Sequence, residues 1–438
     1  MQMIAVVRGA CTLALLSGAV RAQEPVAPPS AIAAARAAMT DTVRGASLRV
    51  SVLTAAHGDA YIWDRFGHNL LRITDLRSGE SVVWNWGLFD FDEPGFITRF
   101  LFGDTRYRMD SGPAIAHLQY YQYGNREVVE QELALTPGQR AALDAFVREN
   151  VRGDNKYYRY DYFLDNCSTR LRDALDIVTG GALRRSLESR STDTRTYRTE
   201  TLRLVQQAPW FFVGMDLALG KPADAALTDW QSAFIPMRLR DALRAVTVDG
   251  ADGKPTPLVV RERVLVAVDR APVPEGFDGV CAPMMVLIGG LVLALAIVGV
   301  SMTGPRGAST SLWLGSAAHL LFGVLASLIV FMWSFTKHTF WAWNYHLLLF
   351  TPVSLVLVVA LPMARARPRL ARLAERYHVV VAASAFLVML ATLLSHGGRL
   401  SAASWLLFVW ANVAWLIHLA IGIVLRRTTP APGNTPAH

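Results

Sequence analysis

Cysteine is scarce in this sequence, and the common cofactor-binding motifs are missing from it. The 438 residues contain three cysteines. Only Cys167 and Cys281 remain if an N-terminal signal sequence is removed, which permits one disulfide at most. No phosphate-binding glycine loop and no His/Cys zinc spacing is present, so we expect no cofactor and no metal. Since there is also no internal repeat and no charge run, the chemistry must come from a small set of side chains.

The N-terminus has the pattern of a cleavable signal sequence. A short segment ending at Arg8 precedes an apolar stretch from Cys11 to Val20. The small residues Val20 and Ala22 suit signal peptidase, so we predict cleavage after Ala22. Cys11 lacks the small-residue box that precedes a lipidated cysteine, and we expect no lipid there. Residues 23–45 are rich in alanine and proline and are predicted to form a tether.

The last third of the chain contains five long apolar runs. Each is about long enough to cross the ~30 Å of hydrocarbon in a bilayer. Together they predict an all-α transmembrane domain at residues 280–427, followed by a cytoplasmic tail at 428–438. The runs cover residues 282–302, 311–335, 345–364, 379–395 and 404–425.

The arginines around these runs predict the orientation of the chain. If the N-terminal domain is outside the cytoplasm, the outside loops carry only Lys337 and Arg399, as the positive-inside rule requires. The net charge of +8 is then mostly a consequence of topology, and we expect no nucleic acid partner. The arginines that fall inside are Arg306, Arg365, Arg367, Arg369, Arg372, Arg376, Arg426 and Arg427.

Residues 46–275 are predicted to form one extracytoplasmic α+β domain. Alternating and helical periods succeed one another along it, and the two strands around residues 75–79 are expected to pair as a hairpin. The predicted strands lie at 49–54, 66–74, 81–90, 126–135, 245–248 and 258–268, the last two as a second hairpin, and the predicted helices lie at 96–102, at 115–122 and from Thr136-Pro137 onward.

Cys167 is predicted to begin a helix. Apolar residues recur at helical spacing after it until Gly180-Gly181, and Asp165 or Asn166 can cap the helix. Free backbone N–H groups and the helix dipole lower the pKa of a thiol in this position. They also provide donors for an oxyanion. This placement favours Cys167 as a nucleophile over two alternatives. One is a disulfide with Cys281, which is disfavoured because Cys281 stands at the head of a membrane helix, and the other is an inert buried cysteine.

A thiol nucleophile needs a base, and His68 is the best candidate in the domain. It lies on a predicted strand directly after Gly67, which allows close approach, although a structural histidine is the alternative. His57, in a Gly/Asp turn, and His117, on an apolar helix, are interpreted as structural.

A third residue usually orients the base. If the hairpin turn centres near residues 77–78, residue 70 faces Asn85, which places Asn85 on the same sheet face as His68 at a diagonal position. Asn85 is therefore the predicted orienting residue. A register slip of one residue would move it to the other face, in which case Asp90 is the reserve candidate. Asn166 can also help from beside the nucleophile.

The outer loop at residues 336–344 adds His338 and Asn344, on the predicted side of Cys167. Two interpretations apply: a lipid-facing mouth, or residues solvated at the membrane interface, which we favour.

The motifs around His68, Asn85 and Cys167 resemble those of the Lnb-type periplasmic domain family of bacterial envelope proteins, over roughly residues 48–240. The trailing membrane helices with a His/Asn-containing outer loop also fit that family's layout. The matching motifs are Arg65-Phe66-Gly67-His68-Asn69, Trp84-Asn85-Trp86-Gly87-Leu88-Phe89-Asp90-Phe91-Asp92, Tyr158-Arg159-Tyr160-Asp161-Tyr162-Phe163 and Asp165-Asn166-Cys167-Ser168-Thr169-Arg170.

The family is associated with N-acylation of lipoproteins, and its motif order is similar to the circularly permuted NlpC/P60 papain-like fold. The resemblance implies an α+β domain of that fold in the periplasm, on a multi-pass anchor in the bacterial inner membrane. It implies Cys167 as nucleophile and His68 as base, with an acyl chain moving from a phospholipid through a thioester to an amine such as a lipoprotein N-terminus. Arg65, Tyr160 and Asp165 lie in the matching motifs and are expected to support the site.

Two other functions remain open from the residues. The same catalytic pair can serve a cysteine hydrolase of peptidoglycan or another amide, although five membrane helices exceed what a wall hydrolase needs. A non-enzymatic envelope module, with Cys167 and Cys281 bonded or inert, is the third hypothesis.

Overall fold

The computed structural model describes residues 27–250, 253–275, 281–395 and 402–428. The predicted signal sequence, the start of the tether, Arg399 and the end of the cytoplasmic tail lie outside the described residues. The chain divides into two compact units. Of the described residues, those up to Glu200 and Ala225–Val273 belong to the first unit, and Thr201–Asp224 and those from Pro274 onward belong to the second.

The first unit is built on an antiparallel sheet, which has seven strands among the described residues. These are β1 Leu48–Ala55, β2 His68–Asp75, β3 Ser81–Leu88, β4 Arg106–Pro113, β5 Val128–Leu133, β6 Tyr157–Arg159 and β11 Val259–Val266, in the order β11-β5-β1-β2-β3-β4-β6. Smaller two-stranded ladders pair β7 Ser191–Thr196 with β8 Ala226–Thr228, and β9 Thr247–Asp249 with β10 Pro255–Pro257.

The hairpin β2–β3 has the predicted register, with Leu71 opposite Trp84. The strand β4, which the sequence patterns did not predict, pairs with the other edge of β3 and places Asp110 opposite Asn85. The predicted last hairpin is wrong in part. Its first strand pairs with β10, but its second strand, β11, joins the main sheet beside β5.

Helices cover both faces of this sheet. They are α1 Pro29–Ala38, α2 Thr42–Ala46, α3 Phe96–Leu101, α4 Ala114–Tyr123, α5 Pro137–Asn150, α6 Cys167–Val178, α7 Ala182–Glu188, α8 Tyr197–Val205, which contains the boundary between the units, α10 Asp229–Ser232 and α11 Pro236–Leu243. The side chains of β1, β2 and β3 alternate between two cores: Val52 and Leu71 pack with α5 and α6, whereas Leu53 and Leu70 pack with α4.

The tether prediction is wrong for residues 29–45. These residues form α1 and α2, and α1 has its first-turn proline at the position that helices favour. Ala31 and Ala35 of α1 are buried in the core with α5. A short alanine-rich sequence has no strong amphipathic signal, so its docking depends on the small side chains that let α1 approach α5 closely.

The second unit is helical. Of its described helices, four are long and apolar enough to cross a membrane: α12 Cys281–Ser301, α13 Pro305–Phe335, α15 Pro368–Ser395 and α16 Ala402–Thr428. The third predicted run differs, because only the short helix α14 Ser354–Met363 is regular. Before it, Tyr345–Leu348 is a 3₁₀ turn, and Pro352 follows that turn.

The second unit also contains α9 Pro209–Ala218, which the sequence had placed in the extracytoplasmic domain. Leu217 of α9 packs in the core of the membrane helices, and the indole N–H of Trp410 donates to Asp216 Oδ2 at 2.8 Å. The structure thus groups residues 201–224 with the membrane helices, since position in the sequence does not show which core an apolar segment joins.

Candidate active site

His68 and Asn85 meet across the β2–β3 hairpin, as the register predicted. His68 Nε2 lies 2.7 Å from Asn85 Oδ1. Because an amide oxygen only accepts, the imidazole donates through Nε2. Gly67 precedes His68 with φ +77°, and a Cβ there would lie 2.5 Å from Met237 Sδ. The glycine therefore permits the turn that starts β2 at the histidine.

Cys167 is the first residue of α6, as predicted, and Asn166 is the cap. Asn166 Oδ1 accepts from the backbone N–H groups of Ser168 and Thr169 at 2.9 and 3.0 Å. The Thr169 hydroxyl accepts from the Asn166 N–H in return, which completes a capping box. Because the first N–H groups of a helix have no partner within it, the N–H of Cys167 itself is a further donor beside the sulfur.

The side chains of Cys167 and His68 interact by charge and by a side-chain hydrogen bond, with Cys167 buried and His68 partly buried. Burial by itself would raise the pKa of the Cys167 thiol, but the charge and hydrogen bond of His68 and the amides of Asn69 and Ser168 outweigh it and lower this pKa. Burial likewise opposes the imidazolium, yet Cys167 and Asn85 raise the pKa of His68. The two shifts together favour a thiolate beside an imidazolium.

The hydrogen-bond pattern also assigns the two ring nitrogens. Because Nε2 of His68 is engaged by Asn85, Nδ1 is the nitrogen left for the hydrogen bond with Cys167. The Asn85 amide thus holds the imidazole in the tautomer that a base for the thiol requires.

Asn69 and Gly87 also belong to the site, although the sequence analysis named them only as parts of motifs and predicted no role for them. Asn69 donates through Nδ2 to Ser168 Oγ at 3.0 Å, and Ser168 Oγ donates to the Ala233 carbonyl at 2.6 Å, which ties β2 to α6. Gly87 has φ +95°, and a Cβ there would be 3.5 Å from Cys167 Cβ and 3.8 Å from His68 Cε1. The sequence signal that could have identified Asn69 and Gly87 as site residues is their closeness in the chain to His68 and Asn85.

Asp165 and Arg65 have structural partners instead of catalytic ones. Asp165 forms a two-pronged ion pair with Arg170, whose guanidinium stacks over Tyr158. Burial nevertheless raises the pKa of Asp165 to about 6. Arg65 lies 3.7 Å from Asp59. Both ion pairs support segments that flank the site.

Tyr160 lies at the start of a row of aromatic rings. Burial and the charge of Cys167 raise its pKa well above the ordinary value, so it stays neutral. Its ring stacks on Tyr107 at 4.1 Å between centroids, and Tyr107 leads to Phe89 at 4.9 Å. The row continues to Trp63, 5.7 Å from Phe89.

At its far end this row opens into an exposed apolar surface, which we call the aromatic patch. Monomeric soluble domains rarely expose large apolar patches unless these bind something. Phe91 and Phe96 pack in contact within it at 5.2 Å. Its exposed members are Tyr61, Trp63, Phe91, Ile97, Phe100, Leu101 and Phe102.

The remaining candidates lie apart from Cys167, His68 and Asn85 or belong to the other unit. The reserve candidate Asp90 is exposed and its Oδ1 accepts from the Asp92 N–H in a turn after β3, so it does not orient His68. His117 Nδ1 lies 3.2 Å from the Pro113 carbonyl oxygen. Burial and the nearby Arg270 lower the pKa of the half-buried His57.

His338 and Asn344 belong to the second unit. His338 precedes the 3₁₀ turn Thr339–Trp341. Asn344 is buried, donates to the Leu217 carbonyl at 2.8 Å and accepts from the His346 N–H at 3.0 Å. The interpretation of Asn344 as a solvated interface residue is therefore wrong, because it joins the α9 segment to the membrane helices.

Cys167 and Cys281 are both free thiols. Two family models match the chain: the Lnb N-terminal periplasmic domain over residues 35–207 and the Lnb transmembrane domain over residues 276–424. The chain belongs to the Lnb family, and it is a multi-pass membrane protein with a periplasmic N-terminal domain. No curated protein and no solved structure gives a significant match.

Proposed function

We propose that this Lnb-family chain is a cysteine acyltransferase of the bacterial inner membrane. It would move an acyl chain from a phospholipid, through a thioester on Cys167, to an amine such as a lipoprotein N-terminus. The observation that carries the proposal is the trio of Cys167, His68 and Asn85, in which the buried thiol, the partly buried base and the buried orienting amide are linked by hydrogen bonds. A permuted papain-like arrangement of the domain is part of the proposal.

In the first half-reaction, Nδ1 of His68 takes the proton of Cys167, and the thiolate attacks the ester carbonyl carbon. The carbonyl oxygen gains negative charge, and the N–H of Cys167 is the available donor for it. The C–O bond then breaks, and His68 returns the proton to the departing alkoxide. The products are a lysophospholipid and an acyl-thioester on Cys167.

In the second half-reaction, an amine attacks the thioester carbonyl. His68 accepts a proton from the attacking amine, and the C–S bond breaks. The acceptor becomes an amide and Cys167 returns to its thiolate beside the imidazolium. The ion pair of the resting site is therefore restored in each cycle.

The aromatic patch supports a lipid as the acyl donor. It is continuous through Phe89 and Tyr107 with Tyr160, whose pKa responds to the charge of Cys167. An acyl chain is apolar along its whole length, whereas peptidoglycan is polar and would gain little from these rings.

The experiment that tests the proposal is mass spectrometry of the intact purified protein after incubation with phospholipid vesicles. We expect an added acyl mass in the wild type and in Cys281→Ser, the matched thiol control, and none in Cys167→Ser or His68→Ala. Hydroxylamine at neutral pH should release the acyl group, as it does with thioesters.

Wild-type protein that never gains the acyl mass would contradict the proposal, as would an adduct that persists in Cys167→Ser. Cys167-dependent release of muropeptides from peptidoglycan, with no lipid adduct, would assign the trio to a hydrolase.

A further inference from the structure

Three histidines from three helices meet inside the second unit. His319 of α13, His378 of α15 and His418 of α16 are each at most 1% exposed. Nδ1 of His378 lies 2.8 Å from Nδ1 of His418, and one ligand nitrogen from each of the three rings lies within 4.8 Å of the others. We call these residues the histidine cluster.

Several nitrogens of the histidine cluster lack a hydrogen-bond partner. Among the described residues, neither ring nitrogen of His319 has one, and Nε2 of His378 has none. Buried polar groups are normally paired, because an unpaired one loses its hydration without compensation. All three helices are candidate membrane spans, and hydrocarbon supplies no water to replace the missing partners.

This arrangement is unusual for histidines with a purely structural role. Ionisable residues in membrane spans are rare and generally serve a function. Packing alone would favour apolar side chains at these three positions, as it does at the neighbouring buried Phe322 and Ala385. The unpaired lone pairs point instead toward a ligand that accepts electron density from imidazole.

We propose that the histidine cluster binds one transition metal ion of the class that prefers imidazole nitrogen, represented by Zn²⁺. Three imidazoles are also the protein ligands of open zinc sites, in which a small molecule takes the fourth position. His378 and His418 alone would provide two ligands, and the unpaired His319 provides the third.

The geometry requires only small changes for coordination. With Zn–N bonds of about 2.0–2.1 Å, tetrahedral ligand nitrogens lie about 3.4 Å apart. His378 and His418 would separate slightly from 2.8 Å, and His319 would approach them. For both Nδ1 atoms to coordinate, the proton they share must move to Nε2 of the ring that carries it, so binding needs a tautomer change and no net proton release.

The test uses the full-length chain in detergent, purified with a tag that contains no histidine. After removal of metals with a chelator, the protein is equilibrated in buffers that fix the free Zn²⁺ concentration, and bound zinc is measured by mass spectrometry of the element. We expect about one ion per wild-type chain. His319→Gln, His378→Gln and His418→Gln should each bind at least about tenfold more weakly. His117→Gln, on a helix of the first unit, should bind as the wild type does.

Substitution with Co²⁺ gives a second readout, because cobalt bound to nitrogen in a tetrahedral site absorbs visible light. We expect these bands in the wild type and in His117→Gln, and their loss in the triple variant, which carries His319→Gln, His378→Gln and His418→Gln together. Wild-type protein that takes up no zinc would overturn the proposal whether or not the variants fold. Uptake equal in the wild type and a folded triple variant would also overturn it, by placing the ion elsewhere.

Discussion

His68 in the first unit and the histidine cluster in the second differ in burial and in surroundings, since His68 is partly buried and each histidine of the cluster is at most 1% exposed. His68 has a partner for each nitrogen, the Asn85 oxygen on one side and the Cys167 thiol on the other. In the cluster only the His378–His418 contact is made, and the nitrogens of His319 have no partner among the described residues. A paired imidazole is held ready to exchange a proton, whereas unpaired imidazoles leave lone pairs for an added ligand.

The largest expected effect is that of replacing His68, which separates proton exchange at His68 from metal binding at the histidine cluster. We expect His68→Gln to reduce the rate of acyl-adduct formation by about 10²–10⁴-fold, because glutamine cannot take the thiol proton. Its zinc content should equal that of the wild type. The two measurements are intact-protein mass spectrometry over time and elemental analysis of the same sample, with His117→Gln as the matched control. An unchanged rate would remove His68 from the mechanism.

A smaller effect is expected from Asn85, which positions the base without touching the substrate. Asn85→Ala should slow adduct formation by about 10–100-fold, by analogy with other residues that orient a functional imidazole. Asn85→Gln, which keeps the amide, should recover part of the rate. A merely structural role for Asn85 predicts equal losses in both variants, together with a lower melting temperature.

The pH dependence of thiol reactivity tests the paired state of His68. Because the pKa of folded Cys167 lies below its ordinary value, alkylation by iodoacetamide in a Cys281→Ser background should decline only as the pH falls through that lowered pKa. In His68→Gln the main influence that lowers the pKa is gone, so the curve should move to higher pH. Coincident curves for the folded and the urea-unfolded protein would show that the thiol is not activated.

The smallest effect concerns the cap that places Cys167. Asn166→Ala removes the acceptor for two buried amides and leaves the carbonyls of Tyr162 and Phe234 without their donor. We expect the free energy of unfolding to fall by roughly 1–3 kcal/mol. The exposed cap residue Asp41, which accepts from Arg44 N–H alone, is the matched control, and Asp41→Ala should cost less. Equal melting temperatures for the two variants would contradict this ranking.

The placement of Cys167, His68 and Asn85 was predictable because the position of each depends on a local pattern. The helical period after Cys167 fixed its place at a helix start, and the short turn fixed the register that brings Asn85 to His68. Other predictions failed where a segment's partner is distant. The alanine-rich residues of α1 and the apolar residues of α9 give no local sign of the core that each joins.

What the sequence by itself determined is the order of a polar α+β region and an apolar helical region, the position of Cys167 at a helix start, and the pairing of His68 with Asn85. The hydrophobic period, the asymmetry of charge between loops and the length of the hairpin turn suffice to predict these features, because each depends on residues that are close together in the chain. Only the tertiary structure decided that Asn69 ties β2 to Ser168 and that His319, His378 and His418 share one site. Those residues lie tens of positions apart, and only the packing of their strands and helices brings them within reach of one another.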